Sequence, residues 1–153
     1  MKPKFIQAYM EVVKIFANLS SAQRLKVGAI VVKDDRIISI GYNGMPSGWD
    51  NECEELALDI VGVAPDGKDI VEPYLKSKPE VLHAETNALA KLARSSESGE
   101  GATMFITHAP CLNCAKLIYQ SGISTVYYET EYRATEGIEF LEKSGIPVLK
   151  VRL

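Results

Sequence analysis

Two short clusters of residue types could do chemistry together: His83-Ala84-Glu85 and Pro110-Cys111-Leu112-Asn113-Cys114. Cysteines three apart share one face of a helix and can grip one ion between them. At a helix N-terminus, which Pro110 favours, they are biased toward the thiolate that binds metal. Two thiolates and the neutral imidazole of His83 cancel the charge of a zinc ion. Three protein ligands leave the fourth tetrahedral position open to solvent, which marks a catalytic rather than a structural site. A Lewis acid in that position brings water toward ionisation near neutral pH. Glu85 lies two residues from His83, about 200° around a helix, and need not be a ligand. A carboxylate beside the metal can instead take a proton from water and pass it on.

Other readings of these residues are weaker. A redox Cys-x-x-Cys pair calls for a thioredoxin-like strand and helix, and none surrounds this one. A closed structural zinc site needs a fourth ligand, and the only imidazoles in the chain are His83 and His108. A lone glutamate is usually a solvated helix charge. The order of the motifs, each opening one of two successive helices, favours the catalytic reading.

The elements that must carry these motifs follow from periodicity. Phe5, Tyr9, Val12, Val13 and Phe16 recur at helical spacing, and Ser20-Ser21 breaks the run. Residues 27–32 and 37–42 are β-rich and joined by Asp34-Asp35-Arg36, a hairpin signal. Helices are expected over 84–94, 111–121 and 134–143, and strands over 103–107, 125–128 and 148–151. Such alternation implies parallel pairing with crossover helices. The expected fold is α/β and three-layered. Its mixed five-stranded sheet has an N-terminal antiparallel hairpin, then parallel strands, with helices on both faces. Residues 43–79 are punctuated by Gly and Pro and read as a long functional loop, with a short helix around Glu54 to Val61.

Length and composition agree with one domain over residues 1–153. With 46% hydrophobic and 24% charged residues, the chain is neither disordered nor fibrous. No apolar run approaches the roughly 20 residues of a membrane helix. The amphipathic start, with Glu11 and Lys14, lacks a signal peptide's apolar stretch. A cytoplasmic protein with no membrane contact is the expectation. Net charge is −3, from 17 basic and 20 acidic residues. No basic stripe of the kind that grips a nucleic acid polymer is present. Three cysteines, Cys53, Cys111 and Cys114, argue against a disulfide framework.

With His83-Ala84-Glu85 and Pro110 to Cys114 placed, the chain resembles the cytidine deaminase superfamily, and within it the deoxycytidylate deaminases. Arg24-Leu25-Lys26-Val27-Gly28-Ala29, Gly41-Tyr42-Asn43-Gly44 with Pro46-Ser47-Gly48, and Gly101-Ala102-Thr103 carry the resemblance across nearly the whole chain. It implies zinc-dependent hydrolysis of dCMP to dUMP and ammonia. It also implies a homohexamer, activation by dCTP and inhibition by dTTP, with Mg2+ accompanying the triphosphate. Asn43 matches the residue that touches the sugar, Arg24 a phosphate partner, and Tyr132 a tyrosine near the nucleotide. Arg94 and the Gly41, Tyr42, Asn43, Gly44 stretch match positions tied to effector response. Two departures are Ala109, where relatives often carry serine, and Thr86, where many carry glutamate. Neither supplies a ligand. Some relatives bind a second zinc in the long loop; residues 43–79 hold Cys53 but no histidine, so one zinc per chain is expected. The alternatives are a deaminase of another base, such as tRNA adenosine or guanine, and a zinc-bound nucleotide sensor without turnover.

Overall fold

A computed structural model describes residues 1–152. Helix α1 (Pro3–Ala17) opens on a proline in its first turn and buries Met10, Val13 and Ala17. Strands β1 (Gly28–Lys33) and β2 (Arg36–Tyr42) form the expected hairpin. Its turn residues Asp34 and Asp35 both adopt positive φ, 50° and 57°. Aspartate tolerates this left-handed backbone, whose twist matches that of the strands it joins.

The second half alternates as its periodicity predicts. Helix α2 (Ala84–Ala93), strand β5 (Thr103–His108), helix α3 (Leu112–Gln120), strand β6 (Thr125–Thr130), helix α4 (Glu136–Lys143) and strand β7 (Val148–Lys150) follow in turn. The sheet order is β2-β1-β5-β6-β7. β1 runs antiparallel to β2 and β5, whereas β5, β6 and β7 are mutually parallel. Alternate residues of the central strands serve opposite faces. Ile30, Val32 and Phe105 pack with Met10 and Val13 of α1 on one side. Val31, Met104, Ile106 and Val126 pack with Ala88, Leu89, Ala115, Ile118 and Leu141 of α2, α3 and α4 on the other. The three-layer α/β expectation holds.

The segment 43–79 departs from expectation. Neither a structureless loop nor a helix near Glu54 to Val61 forms. Instead β3 (Glu54–Val63) and β4 (Asp69–Ser77) pair as a separate antiparallel hairpin. The reason is legible afterwards. Ile60, Val61, Val63, Ile70 and Val71 are β-branched and stiff at χ1, which suits an extended chain. Pro65-Asp66-Gly67 supplies the turn, with Gly67 at φ 83° and the Ala64 N–H bonded to the Lys68 carbonyl at 2.8 Å. The chain on either side of the hairpin is tied together by paired backbone bonds between Gly44 and Leu82, 3.1 and 2.8 Å.

Candidate active site

Two helix N-termini converge at one point. His83 is the residue that precedes α2, and Cys111 the one that precedes α3; both are extended, with ψ of 152° and 167°. Helices usually place a Ser, Thr, Asp or Asn there, whose oxygen accepts an orphan N–H. Neither His83 nor Cys111 makes such a bond, so both side chains are free to turn toward each other. Cys114 follows in the first turn of α3. The His83 Nδ1 lies 3.3 Å from Cys114 Sγ and 3.7 Å from Cys111 Sγ, and the three donor atoms are all within 4.8 Å of one another. Among the described residues this is the one such cluster of three. Two soft sulfurs and one imidazole at this spacing suit a single tetrahedral zinc ion.

The electrostatics fit an ion that must displace protons. Hydrogen bonding with Cys114, then with His83, draws the Cys111 thiol well below its ordinary pKa. The same bond, with burial and the Glu85 charge, pushes Cys114 upward. His83 is raised above its usual value, chiefly by its hydrogen bond with Cys111 and against its own burial. The first turn of α2 also carries Glu85, only 4% exposed, whose carboxyl is pushed upward mainly by burial. A carboxyl so placed holds a proton more readily than a solvated one, which suits it to relay protons.

His83, Glu85 and Cys111 line a cleft of about 600 Å³, in the range of small-ligand sites, with Cys114 buried behind them. Arg24, Asn43 and Tyr132 also line it, so three of the expected substrate residues share the cavity. Arg24 is anchored through its backbone N–H to Glu54 Oε1 at 3.0 Å, and its Nη1 reaches Ser77 Oγ at 3.3 Å. Both ends of the Asn43 side-chain amide hydrogen-bond to its own chain. Its Oδ1 accepts the Val27 N–H and its Nδ2 donates to the Leu25 carbonyl, each at 2.8 Å. Asn43 therefore fixes the segment leading from Arg24 to β1.

The remaining positions lie elsewhere. Arg94 is the residue that ends α2, at the opposite end of that helix from His83, and it does not line the cleft. Gly41, Tyr42 and Gly44 run alongside the start of α2. The Tyr42 carbonyl accepts Asn87 Nδ2 at 2.8 Å. A Cβ on Gly41 would stand 2.6 Å from the Ala88 nitrogen and closer still to the Ala84 carbonyl. Glycine at that position lets α2 seat on β2.

Sequence reasoning missed several cleft residues. Lys78 and Arg133 add positive charge to the wall; their segments carried no motif. Glu54 and Ser77 enter because the unforeseen hairpin plants its feet there. His108 was noted only as an imidazole, although it ends β5, and ligands of parallel sheets gather at the carboxyl ends of strands. The Gly28 N–H donates to Thr107 Oγ1 at 3.1 Å, and that hydroxyl meets His108 Nδ1 at 2.9 Å. Burial lowers the pKa of His108, with Glu129 opposing it. Thr86, one of the departures from the family pattern, has its hydroxyl 3.8 Å from Cys114 Sγ.

Comparison with known proteins points the same way. A family model described as "Cytidine and deoxycytidylate deaminase zinc-binding region" matches residues 3–130. The dCMP deaminase of cyanophage S-TIM5, solved in complex with dCMP and dUMP, is 45% identical, covers 99% of both chains and superposes with a TM-score of 0.84. The deoxycytidylate deaminase of Enterobacteria phage T4 is 34% identical over 93% of this chain and 87% of its own. ComE operon protein 2 of Bacillus subtilis is 33% identical over 96% of this chain and 71% of its own.

Proposed function

Because the chain belongs to the cytidine and deoxycytidylate deaminase family, we propose that it hydrolyses dCMP to dUMP and ammonia. The observation that carries this reading is the convergence of His83, Cys111 and Cys114, with buried Glu85, where His83, Glu85 and Cys111 line one cleft. These three side chains would hold zinc, one ion per chain. When bound there, zinc supplies the Lewis acidity that turns water into a nucleophile near neutral pH.

The chain's own residues do the rest. Glu85 accepts a proton from water as its oxygen bonds to C4 of the cytosine ring, and delivers that proton to ring N3. It then carries the second water proton to the amino group while the C4–N bond breaks. Water and dCMP thus leave as dUMP and ammonia. Burial favours Glu85 in both acts, because a carboxyl with raised proton affinity is a better base and still an able donor. Arg24 is poised to bond two phosphate oxygens at once. Tyr132 lines the cleft where a nucleotide would lie, and Asn43 presents a fixed edge to the sugar.

Regulation completes the reading: dCTP activates and dTTP inhibits, the triphosphate arriving with Mg2+, in a cytoplasmic homohexamer. The support for this part is the resemblance of Gly41, Tyr42, Asn43, Gly44 and Arg94 to effector positions, and the contact of the Gly41–Gly44 stretch with the helix that carries Glu85. Turnover of dCMP, dCTP, free cytosine and an RNA, with and without each triphosphate, tests it. Selective dCMP hydrolysis is expected. A preference for RNA or another base would replace the substrate, and kinetics blind to both triphosphates would remove the regulation.

A further inference from the structure

Among the described residues, nothing covers one face of the β3–β4 hairpin. Its register sets Leu56 opposite Leu75, Leu58 opposite Pro73 and Ile60 opposite Val71. Alternate residues of a strand share a side, so these six lie together. None of them is charged. The other side pairs Glu55 with Lys76, Ala57 with Tyr74 and Asp59 with Glu72. Leu56, Leu58 and Ile60 keep 76%, 71% and 60% of their surface exposed. A two-stranded hairpin is marginal in water without a covering layer. A contiguous apolar patch of this kind marks an interaction surface.

We propose that this apolar face is where two copies of the chain associate, each hairpin lying against the same face of the other. The occupant follows from charge. A charged or strongly polar partner would bury unpaired groups against a surface that offers them nothing. A second copy brings an identical uncharged face, self-complementary about a two-fold axis. Two such hairpins stack at the ordinary sheet spacing of about 10 Å, with Glu55, Asp59, Glu72 and Lys76 outward in water.

Area sets a further condition. Six side chains are about a quarter of the 20–30 residues each partner gives to a standard interface. Exposed Leu25, Trp49 and Leu82 can add to it, since their segments are bonded to the hairpin's base. Glu54 holds the Arg24 N–H, Lys78 Nζ meets Asp50 Oδ1 at 3.7 Å, and the Lys78 N–H bonds the Cys53 carbonyl at 2.8 Å. The same base forms part of the cleft wall. This inference names a surface for the assembly proposed above and does not depend on the deaminase chemistry.

The test takes the zinc-loaded full chain through sedimentation velocity across a wide concentration range. The expected mass is a multiple of the 16.8 kDa chain. Leu58→Lys with Val71→Lys should at least halve that mass, with circular dichroism and zinc content unchanged. Asp59→Lys, on the other face, should leave it alone. Oxidised Leu58→Cys should cross-link hairpin to hairpin, identified by peptide mass. A wild type that stays at chain mass, including one that binds neutral vesicles instead, overturns both this surface and the oligomer. A folded double variant of unchanged mass overturns the surface alone. If that double variant fails to fold, the Leu58→Cys protein decides: a link to any peptide outside 54–77, or none, overturns the proposal.

Discussion

His83 Nδ1 lies 3.3 Å from Cys114 Sγ although 31 residues separate them, because α2 and α3 both begin at the same point. Both partners hold their protons more tightly than usual: His83 is raised by its bond with Cys111, and Cys114 by hydrogen bonding and burial. Metal must therefore displace protons. Zinc affinity should fall as pH falls, by about tenfold per pH unit for each proton displaced. Calorimetry in buffers of different ionisation enthalpy should detect proton release. Cys114→Ser should bring zinc well below one per chain; full occupancy in that variant would remove Cys114 from the ligand set.

Glu85→Gln keeps the shape and the burial but cannot relay a proton. The expected loss in kcat is roughly 10²- to 10⁴-fold, the usual worth of a positioned acid–base group, with zinc content intact. Near-normal turnover would show that another group moves the protons, and His108 would be the next to examine.

The site was legible in the sequence because its logic is local. Residues three apart, or two apart at a helix start, declare their common task before any tertiary contact is known. The five-stranded sheet was legible for the same reason: each strand carries β-branched, apolar runs bounded by turn residues. The hairpin was not. In Leu56 to Val63 the alternation is clear, but Glu, Pro and Gly nearby resemble loop composition, and the apolar side faces no core of this chain. A pattern whose reward lies outside the chain looks like noise within it. Arg94 is a different case: its likeness is to a position tied to effector response, and it lies at the end of α2 away from the cleft. Glu54, Ser77 and Lys78 were invisible once the hairpin was missed.

Gly41→Ala asks whether the Gly41–Gly44 stretch acts by packing. The added methyl meets backbone of Ala84 and Ala88, which cannot swing aside as a flexible side chain would. The expected cost is about 1–3 kcal/mol of stability, with a fall in kcat as His83 and Glu85 shift with α2. Denaturant unfolding beside kinetics would check it. Unchanged stability would mean that the seating of α2 on β2 does not depend on a glycine at position 41.

His108 gives a pH dependence of known sign. Burial lowers its pKa in the folded chain, so the unfolded chain binds the proton more readily. Above about pH 6.5, the unfolded value, both states are neutral and nothing is at stake. Below it, unfolding takes up a proton and stability is lost as the pH drops. His108→Gln removes the titration. The stability gap between wild type and variant should therefore move against the wild type from pH 7.5 to 5.5. A gap that holds constant, or moves the other way, would contradict the assignment.

Arg24 separates phosphate recognition from chemistry. Its backbone is pinned by Glu54 and, among the described residues, its guanidinium hydrogen-bonds only Ser77 at 3.3 Å, so removing the side chain leaves the fold of the cleft wall in place. Losing a charged bidentate contact costs about 1.5–3 kcal/mol. Arg24→Ala should raise KM for dCMP by roughly 10- to 100-fold while kcat changes little. Deoxycytidine, which has no phosphate, should be turned over equally by both proteins. That second substrate gives the comparison its force, since a variant that merely disturbed Asn43 or the zinc cluster would lose both activities together. Equal loss on both would return Arg24 to a structural role, and an unmoved KM for dCMP would point to Lys78 or Arg133 as the phosphate's partner.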